Sequence, residues 1–365
     1  MNLLTILIPT FNRPDFLNLN LEYYKSIHSK YPIFIADGTE KKKFLNKNQR
    51  VINFYKKFLN LHYYRDNSFY FERIYKALKF IKTKYCIIQA DDDFISLDFL
   101  KKGLDILEKN KNINAVNGLF HSIVLNKSNN KFYYNKNYYD NYKISNLLLN
   151  SNNLDQRIYE INKFKFCSVF LLQKTTDLIK KFQIIEQIRK KSFIKKKLDT
   201  HTVFILGYLY DMICRIYTVG LGKTIFIKEV MCCRMYHDKN LSLKNKSLDL
   251  KEILLNKENY RNCSFIYKDL HNCTKIPIEK SKNIVIYSFI SLIHLNYYNI
   301  KKQIFDNTIL FTSFRSRILS LKIKDIFEKL YFNKLFNCVR DLLYHDRYKI
   351  FLEIFISKNI RLIKK

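Results

Sequence analysis

Short apolar runs separated by polar turns open the chain. Leu3–Ile8 (LLTILI) is continuous and is ended by Pro9, the pattern of a strand buried on both faces. Thr10-Phe11-Asn12-Arg13-Pro14 is turn chemistry, after which Leu17, Leu21 and Tyr24 recur at helical spacing. Ile33–Ala36 (IFIA) reads as a second buried strand, closed by Asp37-Gly38-Thr39. Leu61–Tyr64 is a third, followed by Arg65-Asp66-Asn67; a helix over 71–81 and a fourth strand, Tyr85–Ala90, come next. Strand and helix in alternation predict parallel strands joined by helical crossovers, hence an α/β sandwich with a mostly parallel sheet. Ligands of such sheets bind outside the carboxyl ends of the strands. Asn12, Asp37, Asp66 and Asp91–Asp93 all fall at ends of that kind.

The fourth strand runs straight into three carboxylates, in YCIIQADDDFISLDFL (85–100). At about 4 Å and an effective dielectric near 20, each adjacent pair of charges costs roughly 4 kcal/mol, so water or a cation must offset it. Extended backbone would put Asp91 and Asp93 on one face and Asp92 on the other. Two carboxylates on one face suit a hard divalent cation, Mg²⁺ or Mn²⁺, which takes one or two carboxylates plus phosphates and water. The alternative is a solvated acidic turn before a helix capped at Ser96.

Composition narrows the partners. The 365 residues carry a net charge of +33, spread evenly: 23 Lys/Arg against 11 Asp/Glu in residues 246–365 and 42 against 21 before them. A diffuse positive field favours nucleotide phosphates, acidic lipid heads or nucleic acid. Nucleic acid is not expected, because the 27 Tyr and 30 Phe sit within apolar runs and no recognised nucleic-acid-binding pattern occurs. The eight Cys form no CxxC, so buried free thiols in a reducing compartment are expected over disulfides or zinc. The start does not read as a signal peptide. NIVIYSFISLIHLNYY (283–298) is below spanning length and reads as a buried helix. Six cations in Arg189–Lys197 (RKKSFIKKK) and the amphipathic stretch 315–335 read first as a solvated face and a packed helix, and second as contacts with anionic membrane.

ILIPTFNRPDFL (6–17), IADGTE (35–40) and ADDDFISLDFL (90–100) closely resemble the N-terminal half of family 2 glycosyltransferases of the GT-A fold, in the subgroup whose acidic motif reads ADDDF. The resemblance implies a Rossmann-like α/β/α sandwich over 1–245, with a nucleotide-sugar half (1–110) and an acceptor half (111–245). A helical region of unmatched pattern follows over 246–365. It implies nucleotide contacts from Pro9, Thr10, Asn12, Arg13 and Asp37, a phosphate contact from Arg73 or Lys76, and a Mn²⁺ or Mg²⁺ ion held on the sugar diphosphate by Asp91, Asp92 and Asp93. Asp91 would thereby also face the donor. The family's second strand usually ends in two aspartates, whereas Ala36-Asp37 offers one. A weaker likeness runs to about residue 240. It makes Asp211 the expected catalytic base, with Asp199 the runner-up, and His237 a further ligand to metal or diphosphate or else a plain strand end. The implied activity is inverting transfer from a nucleotide-diphosphate sugar to a glycan or lipid-linked glycan acceptor, in bacterial surface polysaccharide or lipooligosaccharide synthesis. The implied place is the cytoplasm, with peripheral contact at the inner membrane face as the further option. The rival readings are a GT-A-fold protein that binds without catalysis, a basic nucleic-acid-binding protein and a nucleotidyltransferase; PTFNRP lacks the glycine-rich phosphate loop the last needs.

Overall fold

The computed structural model of the chain describes residues 3–126, 131–135, 149–163, 170–191, 200–236, 257–286 and 288–289. The first strand, β1 (Leu4–Thr10), is buried along its whole length, as its unbroken apolar run requires. It leads through α1 (Pro14–Ser26) to β2 (Ile33–Asp37), then α2 (Lys42–Tyr55), β3 (Leu61–Arg65), α3 (Tyr70–Phe80) and β4 (Tyr85–Ile88). These four strands pair in parallel in the order β3-β2-β1-β4. The expected crossovers are therefore present, and α2 adds one that the sequence reading did not mark.

β1 runs past Pro9 to Thr10 at no cost in ladder bonds. Thr10 O accepts from Gly38 N on the β2 side and Leu7 O accepts from Gln89 N on the β4 side. That alternation turns Pro9, which has no N–H to give, toward β4, whose register with β1 ends at Leu7↔Ile88.

The chain continues through β5 (Phe94–Ile95), α4 (Leu97–Lys109), β6 (Ile113–Asn126), β7 (Lys131–Asn135), α5 (Leu154–Lys163), β8 (Leu172–Lys174), α6 (Thr175–Lys191), α7 (Thr200–Gly220) and β9 (Lys223–Tyr236). Ser96 caps α4 by accepting from Phe99 N, as its place before the helix predicts. The sheet order extends to β3-β2-β1-β4-β8-β6-β9-β5, with β7 on β6. The pairings of β8, β5 and β7 are antiparallel and short, while β6 and β9 run parallel over a long, bulged register. The sheet is mixed but mostly parallel, and with its helices it makes an α/β fold. Its core joins Leu4, Ile6 and Ile8 of β1 to Leu17, Leu21 and Tyr24 of α1, and to Phe99 and Leu100 of α4.

Two compact units divide the chain. All nine strands lie in the first, and the division falls inside α5 and again in α7, after Met212. The second holds the described residues 200–212 and α8 (Lys257–Thr274), with the residues that follow α8. Ile266, Leu270, Ile284, Val285 and Phe289 are buried there; residues 287 and 290–298 of the stretch expected to form a buried helix lie outside the described residues. No helix among the described residues is long and apolar enough to cross a membrane. Cys86, Cys214, Cys232 and Cys263 are buried free thiols; Cys167 and Cys338 lie outside the described residues.

Candidate active site at the carboxyl ends of the parallel strands

The chain turns to one side of β1 for β2 and β3 and to the other for β4, so the strand order reverses between β1 and β4. A crevice at such a reversal is where open α/β sheets take their ligands. The end of β1 supplies Thr10, Asn12 and Arg13 there, and the end of β4 supplies the aspartates.

Residues 91–92 form a turn, not extended strand. This corrects the expectation that Asp91 and Asp93 share a face. Thr10 Oγ1 donates to Asp91 Oδ2 at 2.7 Å, and Arg13 forks across the neighbours, with Nη2 on Asp91 Oδ1 and Nη1 2.8 Å from Asp92 Oδ2. Asp93 is led elsewhere. Its Oδ1 accepts from Met235 N of β9 at 3.1 Å, and its carbonyl accepts from Asn20 Nδ2 at 2.6 Å and from Gln89 Nε2. Gln89 is held in turn by Tyr24.

All three aspartates are buried. Burial pushes the Asp91 carboxyl up, with Arg13 opposing and Asp92 adding to the rise. Burial likewise takes Asp93 up to about 7, against the pull of Arg234, 4.0 Å away. The resident cation on the acidic pair is therefore Arg13.

Asp37 is fully buried at the end of β2 and works inward. Its Oδ1 accepts from Thr39 N at 2.8 Å, and its Oδ2 from Asn48 Nδ2 and Tyr63 OH, both at 3.0 Å. In this arrangement it holds the Gly38–Thr39 turn. Thr39 Oγ1 then accepts from Asn12 N at 3.0 Å, and Asn12 Oδ1 from Lys41 N. Asn12 sits in the left-handed region (φ 55°), which an Asn tolerates at little cost.

Arg73 of α3 lies against the same turn with only 3% of its surface exposed. A Cβ on Gly38 would fall 1.7 Å from Arg73 Nη1, so only glycine leaves the guanidinium its place. Nη1 donates to Ser68 O, while Nε finds no partner among the described residues. Burial lowers the Arg73 pKa, and Tyr70, Asp37, Asp66 and Asp91 oppose that fall; the group stays charged. Lys76, the other phosphate candidate, is taken instead: it pairs with Asp66 at 2.9 Å and Glu72 at 3.0 Å.

Sequence reasoning missed the supports. Asn20 and Asn48 are buried polar residues on helix faces otherwise committed to the core, beside Leu17, Leu21 and Tyr24 in α1 and Ile52 and Tyr55 in α2. A polar residue in an apolar stripe was the available signal, since such a group is buried only with a partner.

Asp211 lies in α7 on the second unit, apart in the chain from the strand-end group. Asp199 and His237 lie outside the described residues, as do 192–197 of the basic run and all of 315–335. Arg189 is drawn into pairs with Glu72 at 2.8 Å and Glu186 at 2.6 Å.

Asp91 Oδ1 and Asp92 Oδ2 are hard oxygens converging on one positive group, with Arg13 standing where a cation would. Two carboxylates match what Mg²⁺ or Mn²⁺ takes from a protein when phosphates and water complete the shell. No cluster of three or more His, Cys, Asp or Glu suited to a metal occurs among the described residues.

No protein-family model and no curated protein sequence matches the chain. Among solved structures it is similar to S. aureus TarS 1–349 in complex with UDP-GlcNAc, with a TM-score of 0.49 and 11% identity over 80% of this chain and 72% of that one. For S. aureus TarS itself the TM-score is 0.47 at 12% identity, over 79% of this chain, which spans 43% of that one. For the mannosyltransferase PcManGT from Pyrobaculum calidifontis, in complex with GDP-Man and Mn²⁺, it is 0.39 at 10% identity, over 99% and 85%.

Proposed function

We propose that the chain is a GT-A-type glycosyltransferase that moves a sugar from a nucleotide-diphosphate sugar to a hydroxyl acceptor. One observation carries the reading. Thr10 and Arg13 from the end of β1 meet the buried Asp91–Asp92 pair from the end of β4, at the reversal of strand order. The motifs at those positions are the ones that resemble family 2 glycosyltransferases.

In this reading Arg73 and Arg13 face the diphosphate, since a guanidinium fork suits phosphate oxygens. Arg73 brings an unsatisfied Nε, and Gly38 leaves its guanidinium the space that a Cβ would fill. Asp37 and Asn48 set the Gly38–Thr39 turn, whose Thr39 Oγ1 accepts from Asn12 N. Asp91 and Asp92 would hold Mn²⁺ or Mg²⁺, which when bound offsets charge building on the leaving diphosphate. Asp93 clasps β9 and positions the turn. Asp211 is the proposed base, taking the proton of the acceptor hydroxyl as it attacks the anomeric carbon from the face opposite the diphosphate, with inversion.

A thermal-shift screen of nucleotide sugars in Mn²⁺ tests this. The matching donor at 100 times its Kd stabilises by about 2.7 kcal/mol, a rise of several degrees. Asp91→Asn with Asp92→Asn should abolish the rise. Asp211→Asn should keep it and lose transfer. If no nucleotide sugar moves the melt, or the double variant responds like wild type, the function is wrong; unimpaired transfer by Asp211→Asn removes that residue alone.

A further inference from the structure

We propose that Arg13 is the built-in counter-ion of the acidic pair, and that it makes divalent cation and diphosphate bind as a coupled pair. The inference rests on the donor site described under Proposed function and deepens it.

Arg13 precedes Pro14 at the N-terminus of α1, so a short, stiff turn fixes where its side chain starts. Its guanidinium spans both carboxylates, with Nη1 2.8 Å from Asp92 Oδ2 and Nη2 on Asp91 Oδ1. The second oxygen of Asp91 is already taken by Thr10. The carboxylates are 0% and 6% exposed and the arginine 24%. Adjacent buried carboxylates repel unless a cation lies on them, and here the protein supplies its own.

A divalent ion seeking Asp91 Oδ1 and Asp92 Oδ2 must therefore displace the guanidinium. Displaced by a bare ion, Arg13 loses two charge-assisted hydrogen bonds inside a partly buried crevice and gains no partner. Displaced when a diphosphate arrives with the ion, it exchanges a carboxylate fork for a phosphate fork of the same geometry. Cation alone is then held weakly, and each ligand raises the other's affinity by one common factor. The guanidinium also lies over the Phe16 ring, 5.4 Å from its centroid, a cation–π contact that a bare ion displacing Arg13 would break as well.

Binding of Mn²⁺ alone, and of Mn²⁺ with inorganic pyrophosphate, is measured on the full chain by calorimetry and by the electron spin resonance of free Mn²⁺. The complex the two form in solution is counted. For wild type, pyrophosphate should tighten Mn²⁺ binding at least tenfold. Arg13→Gln should bind Mn²⁺ alone at least tenfold more tightly than wild type and lose most of the pyrophosphate effect. Arg13→Lys, which keeps the charge but not the fork, should fall between, and it carries the test if the glutamine variant does not fold. Mn²⁺ binding no tighter in either variant, with Mn²⁺–pyrophosphate still bound by wild type, overturns the role of Arg13 and leaves the donor site standing. Failure of all three proteins to bind Mn²⁺ under either condition overturns both.

Discussion

Asp37→Asn isolates what the buried carboxylate at the end of β2 contributes. Three donors converge on it: Thr39 N on one oxygen, Asn48 Nδ2 and Tyr63 OH on the other. An amide offers one oxygen and one NH₂, so whichever way it is turned an N–H faces an N–H. The cheaper orientation gives up the Thr39 bond, because Asn48 also donates to Thr39 Oγ1 and is fixed by it. Hydrogen bonds to a charged group are worth about 1.5–3 kcal/mol each, and an unsatisfied buried donor about 1–3. One bond lost and two weakened therefore comes to roughly 3 kcal/mol, out of a typical total of about 5–15. With a urea slope near 3 kcal/mol/M, the midpoint should fall by about 1 M. The chain has no Trp, so far-UV circular dichroism is the suitable signal. Tyr63→Phe should cost less by itself. Combined with Asp37→Asn it should cost less than the two separately, since both act on one network. A midpoint for Asp37→Asn within about 0.2 M of wild type would show that the convergence of donors carries no energy, and the account of the turn would fall.

Two further substitutions probe the frame. Gly118→Ala would put a Cβ 2.6 Å from Glu229 O and 2.9 Å from both Met231 Cβ and Phe99 Cδ2, so strand or core must shift. A loss at the upper end of about 1–3 kcal/mol is expected, read as a melt lower by several degrees; an unchanged melt would contradict the packing of β6 on β9. Burial would raise the Asp66 carboxyl, yet hydrogen bonds from Ser68, Lys76 and Tyr64 hold it well below the ordinary range. Its folded pKa is thus depressed, so its stabilisation is present above about pH 4 and fades as pH falls through the lowered value. Asp66→Asn should lose about 1–2 kcal/mol at pH 7 and show a flatter decline between pH 5 and 2 than wild type. Equal slopes would refute the assignment.

The parallel half of the sheet was legible because β1, β2 and β4 are buried on both faces, which leaves unbroken apolar runs. Helix α2 was not. Its sequence KKFLNKNQRVINFY buries only Asn48, Ile52 and Tyr55, too thin a stripe to stand out among Lys and Asn. The place of the acidic group could be read from strand ends, but its geometry could not. The alternation argument needs extended backbone, and residues 91–92 leave the strand to form a turn. What bends them is distant in sequence: Arg13 and Thr10 draw in Asp91 and Asp92, while Met235 of β9 holds Asp93. The resemblance points to Arg73 as a cation near phosphate; that Gly38 makes room for it is a fact of packing alone.

The clasp between Asp93 and Met235 spans 142 positions of sequence. Closing so long a stretch is entropically unfavourable until the strands between are in place, so this contact belongs to the late stages of folding. A shortened chain ending at residue 222 would still carry β1 to β4 and the Arg13 fork. It would lack the strand that fixes the third aspartate, and the crevice would be left with a loose hinge where the whole chain has a pinned one.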